Sequence, residues 1–281
     1  PEYKKTGAYR IANTDQQGIY LANRFRLSQT WSLIGGARFS NWETATDNFN
    51  TSGLYTNTTG AYQVDHELTP YAGVVWDFMA QHAFYLSYTD IFTPQNYKDK
   101  DNNLLAPVLG KNLELGLKSS FMDGALALNA ALFKTAQDNY AVRDTTQPDN
   151  SLPDGSSAYK GINGTESQGF EISTSGRFSD NWLVNAGYTY VDTKRHTNDK
   201  IWTNLPEHSA QLSSHYELSG ALSGLTLGGG LNWQSDTVGY NLSHPLKNTG
   251  ETYTQKSFVL ANLYASWQFA EKLSSTLSIT N

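Results

Sequence analysis

The sequence contains no cysteine in 281 residues, which excludes disulfide bonds and thiolate metal sites. It also lacks any apolar run near the roughly 18 residues that a membrane-spanning helix needs. Hydrophobic residues reach only 38%, less than in a typical globular domain. The net charge of −6 argues against nucleic acid as a partner. A helical membrane protein and a nucleic-acid-binding protein are therefore both disfavoured.

Aromatic residues, by contrast, are abundant. They make up 13% of the chain, with 17 tyrosines, 12 phenylalanines and 7 tryptophans. A disordered chain is poor in such residues, so these rings need a folded surface to occupy. The two aromatic girdles of a transmembrane β-barrel are one such surface.

The apolar residues alternate with polar ones along almost the whole chain. From Trp31 to Phe39 the odd positions are apolar or small, and the even positions are mostly small or polar. Similar stripes start near Leu68, Leu113, Trp182 and Leu225. Such a period of two predicts β-strands with unlike faces. We predict about twelve strands of roughly ten residues, the length that crosses a bilayer as a tilted strand.

The predicted connections alternate between short and long. Short turns are predicted at 28–30, 79–81, 122–124, 179–181, 219–223 and 270–272, and long polar loops at 43–65, 93–110, 139–164, 194–207 and 235–255. Short turns on one side and long loops on the other are typical of an outer-membrane barrel. The predicted fold is thus an all-β transmembrane antiparallel barrel. The alternative is a soluble β-sandwich, which strand counting alone does not exclude.

No enzyme or metal signature stands out. The six histidines show no metal-binding spacing, and no Gly-x-Ser-x-Gly motif is present. We therefore expect no enzyme, no catalytic residue, no bound metal and no cofactor, although a barrel-borne hydrolase remains an alternative.

Arginine and aromatic residues in the upper strands and long loops are the candidates for ligand binding. An arginine among rings at a barrel mouth suits an anionic or oxygen-rich ligand. Packing of loop against loop is the alternative explanation for each of them. The predicted ligand-binding residues are Arg38, Trp42, Tyr62, Tyr97, Arg143, Trp202 and Tyr240.

A series of motifs resembles the TonB-dependent siderophore receptors, both in the order of the motifs and in the distances between them. The motifs are LTPYAGVVWD at 68–77, FYLSYTDIFTPQ at 84–95, GKNLELGLK at 110–118, SQGFE at 167–171, AGYTY at 186–190, PEH at 206–208 and LSITN at 277–281. Each is weak by itself, but together they span nearly the whole chain. Within the family, the similarity is greatest to receptors for hydroxamate siderophores of the coprogen and rhodotorulic acid type.

The resemblance implies an outer-membrane receptor of a Gram-negative bacterium. It would bind a ferric siderophore of the coprogen type and import it with energy from the TonB complex. Iron would be carried only inside the siderophore, and outer-membrane lipid and lipopolysaccharide would surround the barrel. A passive porin is the alternative.

The resemblance also implies that residues 1–281 are part of a twenty-two-stranded barrel domain. The N-terminal plug domain, the first strands and the final strand would lie outside them.

Overall fold

A computed structural model describes residues 7–195, 205–241 and 251–281, and it is built almost entirely of β-strands. The strands are β1 (Tyr9–Arg26), β2 (Trp31–Phe49), β3 (Tyr55–Met79), β4 (His82–Thr93), β5 (Val108–Phe121), β6 (Leu126–Asp138), β7 (Tyr140–Arg143), β8 (Tyr159–Ile162), β9 (Thr165–Ser179), β10 (Trp182–Arg195), β11 (His208–Glu217), β12 (Leu225–Gln234), β13 (Thr237–Asn241), β14 (Glu251–Gln255), β15 (Phe258–Ala270) and β16 (Leu273–Thr280). Within these ranges, no helix is long and apolar enough to cross a membrane.

Twelve of the strands form one antiparallel sheet. Its order is β1-β2-β3-β4-β5-β6-β9-β10-β11-β12-β15-β16, so each strand pairs with its sequence neighbour once the two small hairpins β7–β8 and β13–β14 are set aside. This up-and-down order confirms the predicted all-β antiparallel architecture and the number of strands.

One face of the sheet exposes its apolar side chains. Trp31 lies opposite Trp76 with ring centroids 5.5 Å apart, and Trp76 lies opposite Phe84 on the next strand. Farther along, Leu132 is 59% exposed and Leu263 is 65% exposed. Exposure of so large an apolar surface to water is unfavourable, so this face is suited to contact with lipid.

The opposite face is polar and contains aromatic rings that cover glycines. Tyr85 lies opposite Gly116, and the Tyr85 ring occupies the space that a Cβ at Gly116 would need. Tyr264 covers Gly228 in the same manner. A polar inner face is what a barrel lumen requires.

The short turns occur where they were predicted, but the first long loop was predicted wrongly. Residues 43–65 are mostly strand, because β2 continues to Phe49, β3 begins at Tyr55, and only residues 50–54 connect them. The two strands project beyond the lipid-facing band, where both faces are wet and apolar alternation disappears. Cross-strand hydrogen bonds, such as Asn48 Nδ2 to Thr59 Oγ1 at 3.0 Å, tie them together instead.

Candidate functional site

The upper part of the β2–β3 pair positions two of the predicted site residues on the inner face. Trp42 pairs with Val64 and Thr44 with Tyr62, past a bulge that follows Ser40. The Trp42 and Tyr62 rings are 5.5 Å apart and inclined by 60°. By strand register, Trp42 lies on the same face of β2 as Arg38.

Tyr62 is almost completely buried, with 6% of its surface exposed. Its hydroxyl has no hydrogen-bond partner among the described residues. Burial raises the pKa of Tyr62, and the nearby Glu67 carboxylate adds to this rise, whereas the Gln95 backbone opposes it. Gln95 belongs to the 94–107 loop, so this loop covers Tyr62. The Tyr62 hydroxyl therefore faces the interior of the loop.

Gln95 joins that loop to the next one. Its side chain is buried, and Nε2 donates to the Asn139 carbonyl at 2.8 Å and to the Ala106 carbonyl. The first contact crosses 44 residues of sequence, from the 94–107 loop to the start of the 139–164 loop. One buried amide therefore holds the two loops together at their base.

A second set of contacts joins the same loops farther out. The Tyr97 and Tyr159 rings are 4.3 Å apart, and the Tyr159 N–H donates to the Lys98 carbonyl at 2.7 Å. Lys98 Nζ lies 2.8 Å from Asp154 Oδ2. Hydrogen bonds from Lys98 and Ser156 hold the pKa of Asp154 well below its ordinary value. We call this pair of loops, 94–107 with 139–164, the joined loops.

Arg143 lies inside the joined loops and organises them. Its guanidinium donates to the carbonyls of Asp144, Ala158, Gln147 and Pro148 and to the Asp149 carboxylate. The side chain is only 13% exposed. With its Nη groups committed to its own loop, Arg143 can support a binding surface by fixing the loop.

Arg38 lies apart from the joined loops. It is four residues from Trp42 on the same face of β2, roughly 13 Å farther down at the usual rise of a strand. Its Nε donates to Ser40 Oγ at 3.0 Å, and the guanidinium lies across Gly18 of β1. Arg38 is exposed, so its remaining donors face the lumen.

The structure thus brings together four of the seven predicted residues: Trp42, Tyr62, Tyr97 and Arg143. Trp202 lies outside the described residues. Tyr240 belongs to β13, and its side chain is not among those described. Gln95, Lys98 and Asp154 were not predicted, because an amide and a charged pair in polar loops carry no local sequence signal.

The chain matches the sequence profile of the family described as "TonB dependent receptor-like, beta-barrel" over residues 2–281. The chain belongs to this family. It is 34% identical to the ferric-pyoverdine BN7/BN8 receptor of Pseudomonas putida over 287 residues, covering 100% of this chain and 32% of that receptor.

Solved structures agree. The ferripyoverdine receptor of Pseudomonas aeruginosa superposes with a TM-score of 0.81 at 31% identity, covering 96% of this chain and 35% of that one. The alcaligin receptor FauA of Bordetella pertussis superposes with a TM-score of 0.76 at 34% identity, covering 97% and 43%.

Family membership confirms the predicted TonB-dependent receptor family and the predicted β-barrel. The chain is part of an outer-membrane β-barrel, and it spans about a third of the length of the curated relatives it matches. These relatives are transport receptors, and this similarity points to a protein that is not an enzyme. The same similarity does not favour the porin alternative.

Proposed function

We propose that the protein containing this chain captures a ferric siderophore at its outer mouth and imports it with energy from TonB. Membership of the receptor family across residues 2–281 carries this proposal. The relatives described above are named for pyoverdine and alcaligin, and both names denote receptors.

The joined loops suit capture rather than chemistry. They place the Tyr97–Tyr159 pair at the loop-bearing end of the sheet, where Arg143 fixes the 139–164 loop. They also cover Tyr62 of β3, whose ring packs against Trp42 of β2. Rings and charge-assisted donors bind an oxygen-rich anionic chelate without breaking bonds in it. Iron enters as cargo inside the chelator, and the protein needs no cofactor of its own.

Pre-assembly of the loops matters for affinity. A loop that is already held by Gln95, Lys98 and Arg143 has less conformational entropy to lose when ligand arrives. The partners of the whole receptor are then the ferric siderophore, the TonB complex, and the surrounding lipid and lipopolysaccharide. We propose that TonB engages a part of the protein outside residues 1–281.

The finer substrate proposal is a ferric hydroxamate of the coprogen type. It is supported by the resemblance of the motifs at 68–77, 84–95 and 110–118. The test is titration of the purified full-length receptor with ferric coprogen, ferrichrome, ferripyoverdine and ferric alcaligin. Tryptophan fluorescence measures the binding at each step. Saturation by one of the first two supports the hydroxamate class, and saturation only by the others reassigns the substrate. No saturable binding of any of the four contradicts the receptor proposal itself.

Two variants test the mouth residues. Arg38→Ala and Trp42→Ala should each weaken siderophore binding, by about tenfold for loss of one good contact worth ~1.4 kcal/mol. Filter binding of radioiron-labelled ligand measures this without relying on tryptophan emission. The thermal stability of both variants should stay at the wild-type value. Leu33→Ala, on the outward face, is the control for binding. A loss of stability without a specific loss of affinity would assign both residues to packing.

A further inference from the structure

A hollow lies on the outward, lipid-facing side of the sheet, centred on Ala130 of β6. Ala130 pairs with Leu117 of β5 on one side and with Ile172 of β9 on the other. Its short side chain leaves an open depression of about 280 Å³ among longer ones, and the lining is almost wholly apolar. The side chains around the depression are Phe84, Leu115, Leu117, Leu132, Phe170 and Ile172.

Two lysines lie beyond this hollow on the same outward face, toward the ends of the strands that carry the long loops. Lys134 is four residues past Ala130 on β6, about 13 Å away at the usual rise of a strand. Lys111 of β5 pairs with Ala136, which places it diagonally from Lys134 at roughly 7–8 Å between Cα atoms. We call the hollow together with these two lysines the outward groove.

The outward groove crosses the boundary between the acyl chains and the headgroups of the outer leaflet. Outer-membrane barrels carry their long loops at the extracellular end and their aromatic girdles at the interfaces. Tyr190 lies opposite Phe170 beside the hollow, and Tyr88 lies opposite Leu113 one row nearer the loops. The hollow is therefore at acyl-chain depth, and the two lysines are at headgroup depth.

The carboxylates beside the two lysines do not prevent an anion from binding. Lys134 Nζ lies 3.0 Å from Glu166 Oε2, but these side chains are 52% and 37% exposed. So exposed an ion pair contributes little to stability, so a multiply charged phosphate can displace the carboxylate. Asp90 is opposite Lys111 in the register, yet among the described residues the exposed Lys111 has no ion-pair partner.

We propose that the outward groove binds a lipopolysaccharide molecule of the outer leaflet, with an acyl chain in the hollow and a phosphate on Lys111 and Lys134. The occupant must present an apolar chain and an anion on one molecule, and a phosphorylated lipid does so. Lysine stems lie along apolar surface while the ammonium groups reach the polar layer. Two lysines suit the phosphate monoester of lipopolysaccharide, because a monoester carries close to two charges and a phospholipid diester carries one.

The test is titration of the purified, delipidated full-length receptor with lipopolysaccharide, and native mass spectrometry measures the bound lipid. A double variant, Lys111→Gln with Lys134→Gln, should raise the Kd about tenfold through loss of attraction to the phosphate. Ala130→Phe fills the hollow and should raise the Kd by a similar factor. Dephosphorylated lipopolysaccharide should bind wild type about as weakly as the intact lipid binds the double variant.

Three control variants separate the groove from general effects of charge and shape. Lys256→Gln removes a lysine that is 83% exposed at the same end of the sheet, just before β15. Ala37→Phe adds a ring elsewhere on the outward face, on β2. Lys111→Arg with Lys134→Arg keeps both charges. All three should bind lipopolysaccharide with the wild-type Kd, and every variant should keep the wild-type thermal stability.

Several results would overturn the proposal. Lys256→Gln could weaken binding as much as the double glutamine variant, or dephosphorylated lipid could bind wild type as tightly as intact lipid. Equal affinity for phosphatidylglycerol would make the groove a general anionic-lipid site, and displacement of the lipid by inorganic phosphate would make it a site for free phosphate. Loss of thermal stability in the double glutamine variant would assign the lysines to packing. None of these measurements uses a siderophore, so this proposal and the proposed function can fail separately.

Discussion

At the residue scale, the inner face depends on glycines that are covered by rings. A Cβ at Gly116 would lie 2.2 Å from Tyr85 Cζ, and one at Gly228 would lie 2.3 Å from Tyr264 Cζ. Real Cβ atoms do not approach a ring so closely. Each glycine therefore sets the position of a tyrosine, and Tyr85 in turn donates to Glu114. Pairing a glycine with a cross-strand aromatic also helps to fix strand register.

Gly116→Ala should therefore destabilise the full-length receptor by ~1–3 kcal/mol, because the Tyr85 ring must leave its site. The measurement is the free energy of unfolding in urea for receptor refolded into lipid vesicles. Gly35→Ala is the control, since the nearest atom to its added Cβ is 3.9 Å away. In a Tyr85→Ala background, Gly116→Ala should cost little. A similar cost in both backgrounds would mean that the ring is not the cause.

At the element scale, the strands that contact lipid were predictable and the features above them were not. The alternation around Trp31–Phe39 and Leu225–Trp233 indicates one apolar face and one polar face. This pattern is sufficient to predict strands β2 and β12. Residues 43–49 and 55–65 contain few apolar residues because both faces meet water, so the pairing depends on the backbone ladder and on Thr–Asn contacts. The hairpins β7–β8 and β13–β14 lay within predicted loops for the same reason.

In the candidate site, too, some features could be predicted from the sequence and others could not. The rings of Trp42, Tyr62 and Tyr97 stand out in the sequence by residue type, so they could be predicted. Their arrangement depends on Gln95 and Asn139, which are 44 residues apart and carry no pattern linking them. Arg143 was predicted by charge, but only the structure shows that its donors are committed to loop carbonyls.

The joined loops should open in acid. The pKa of Asp154 is held below its ordinary 3.8, so the contribution of its contact with Lys98 is complete above that value and lost as the pH falls beneath it. Hydrogen exchange at the Tyr159 amide, which donates to the Lys98 carbonyl, should be constant from about pH 7 to about pH 4 and should rise only below that, after correction for intrinsic exchange.

Asp154→Asn should give fast exchange at every pH, with no acid transition. Asp101→Asn removes an exposed ion pair with Lys100 and serves as the control, with exchange at the Tyr159 amide unchanged. If Asp154→Asn retains the wild-type acid transition, another group controls the loops.

At the scale of the whole molecule, the sheet has two unpaired edges. β1 pairs only with β2, and β16 pairs only with β15, within the part of the chain that the structure describes. β16 is exposed along its entire length, including Leu273, Leu277 and Ile279. In lipid, each unpaired backbone group at such an edge costs several kcal/mol, so a spanning sheet must close.

The 281-residue chain on its own should therefore fail to form a stable membrane barrel, and it should neither bind siderophore nor conduct. Open apolar edges favour pairing with other chains, so refolding into detergent should give β-rich oligomers and aggregates. The measurements are circular dichroism for strand content, and gel mobility with and without heating for a compact barrel. The full-length receptor under the same conditions should show the heat-dependent shift. A heat-modifiable monomer of the isolated chain would show that these twelve strands close by themselves, and would contradict the larger barrel inferred from the family.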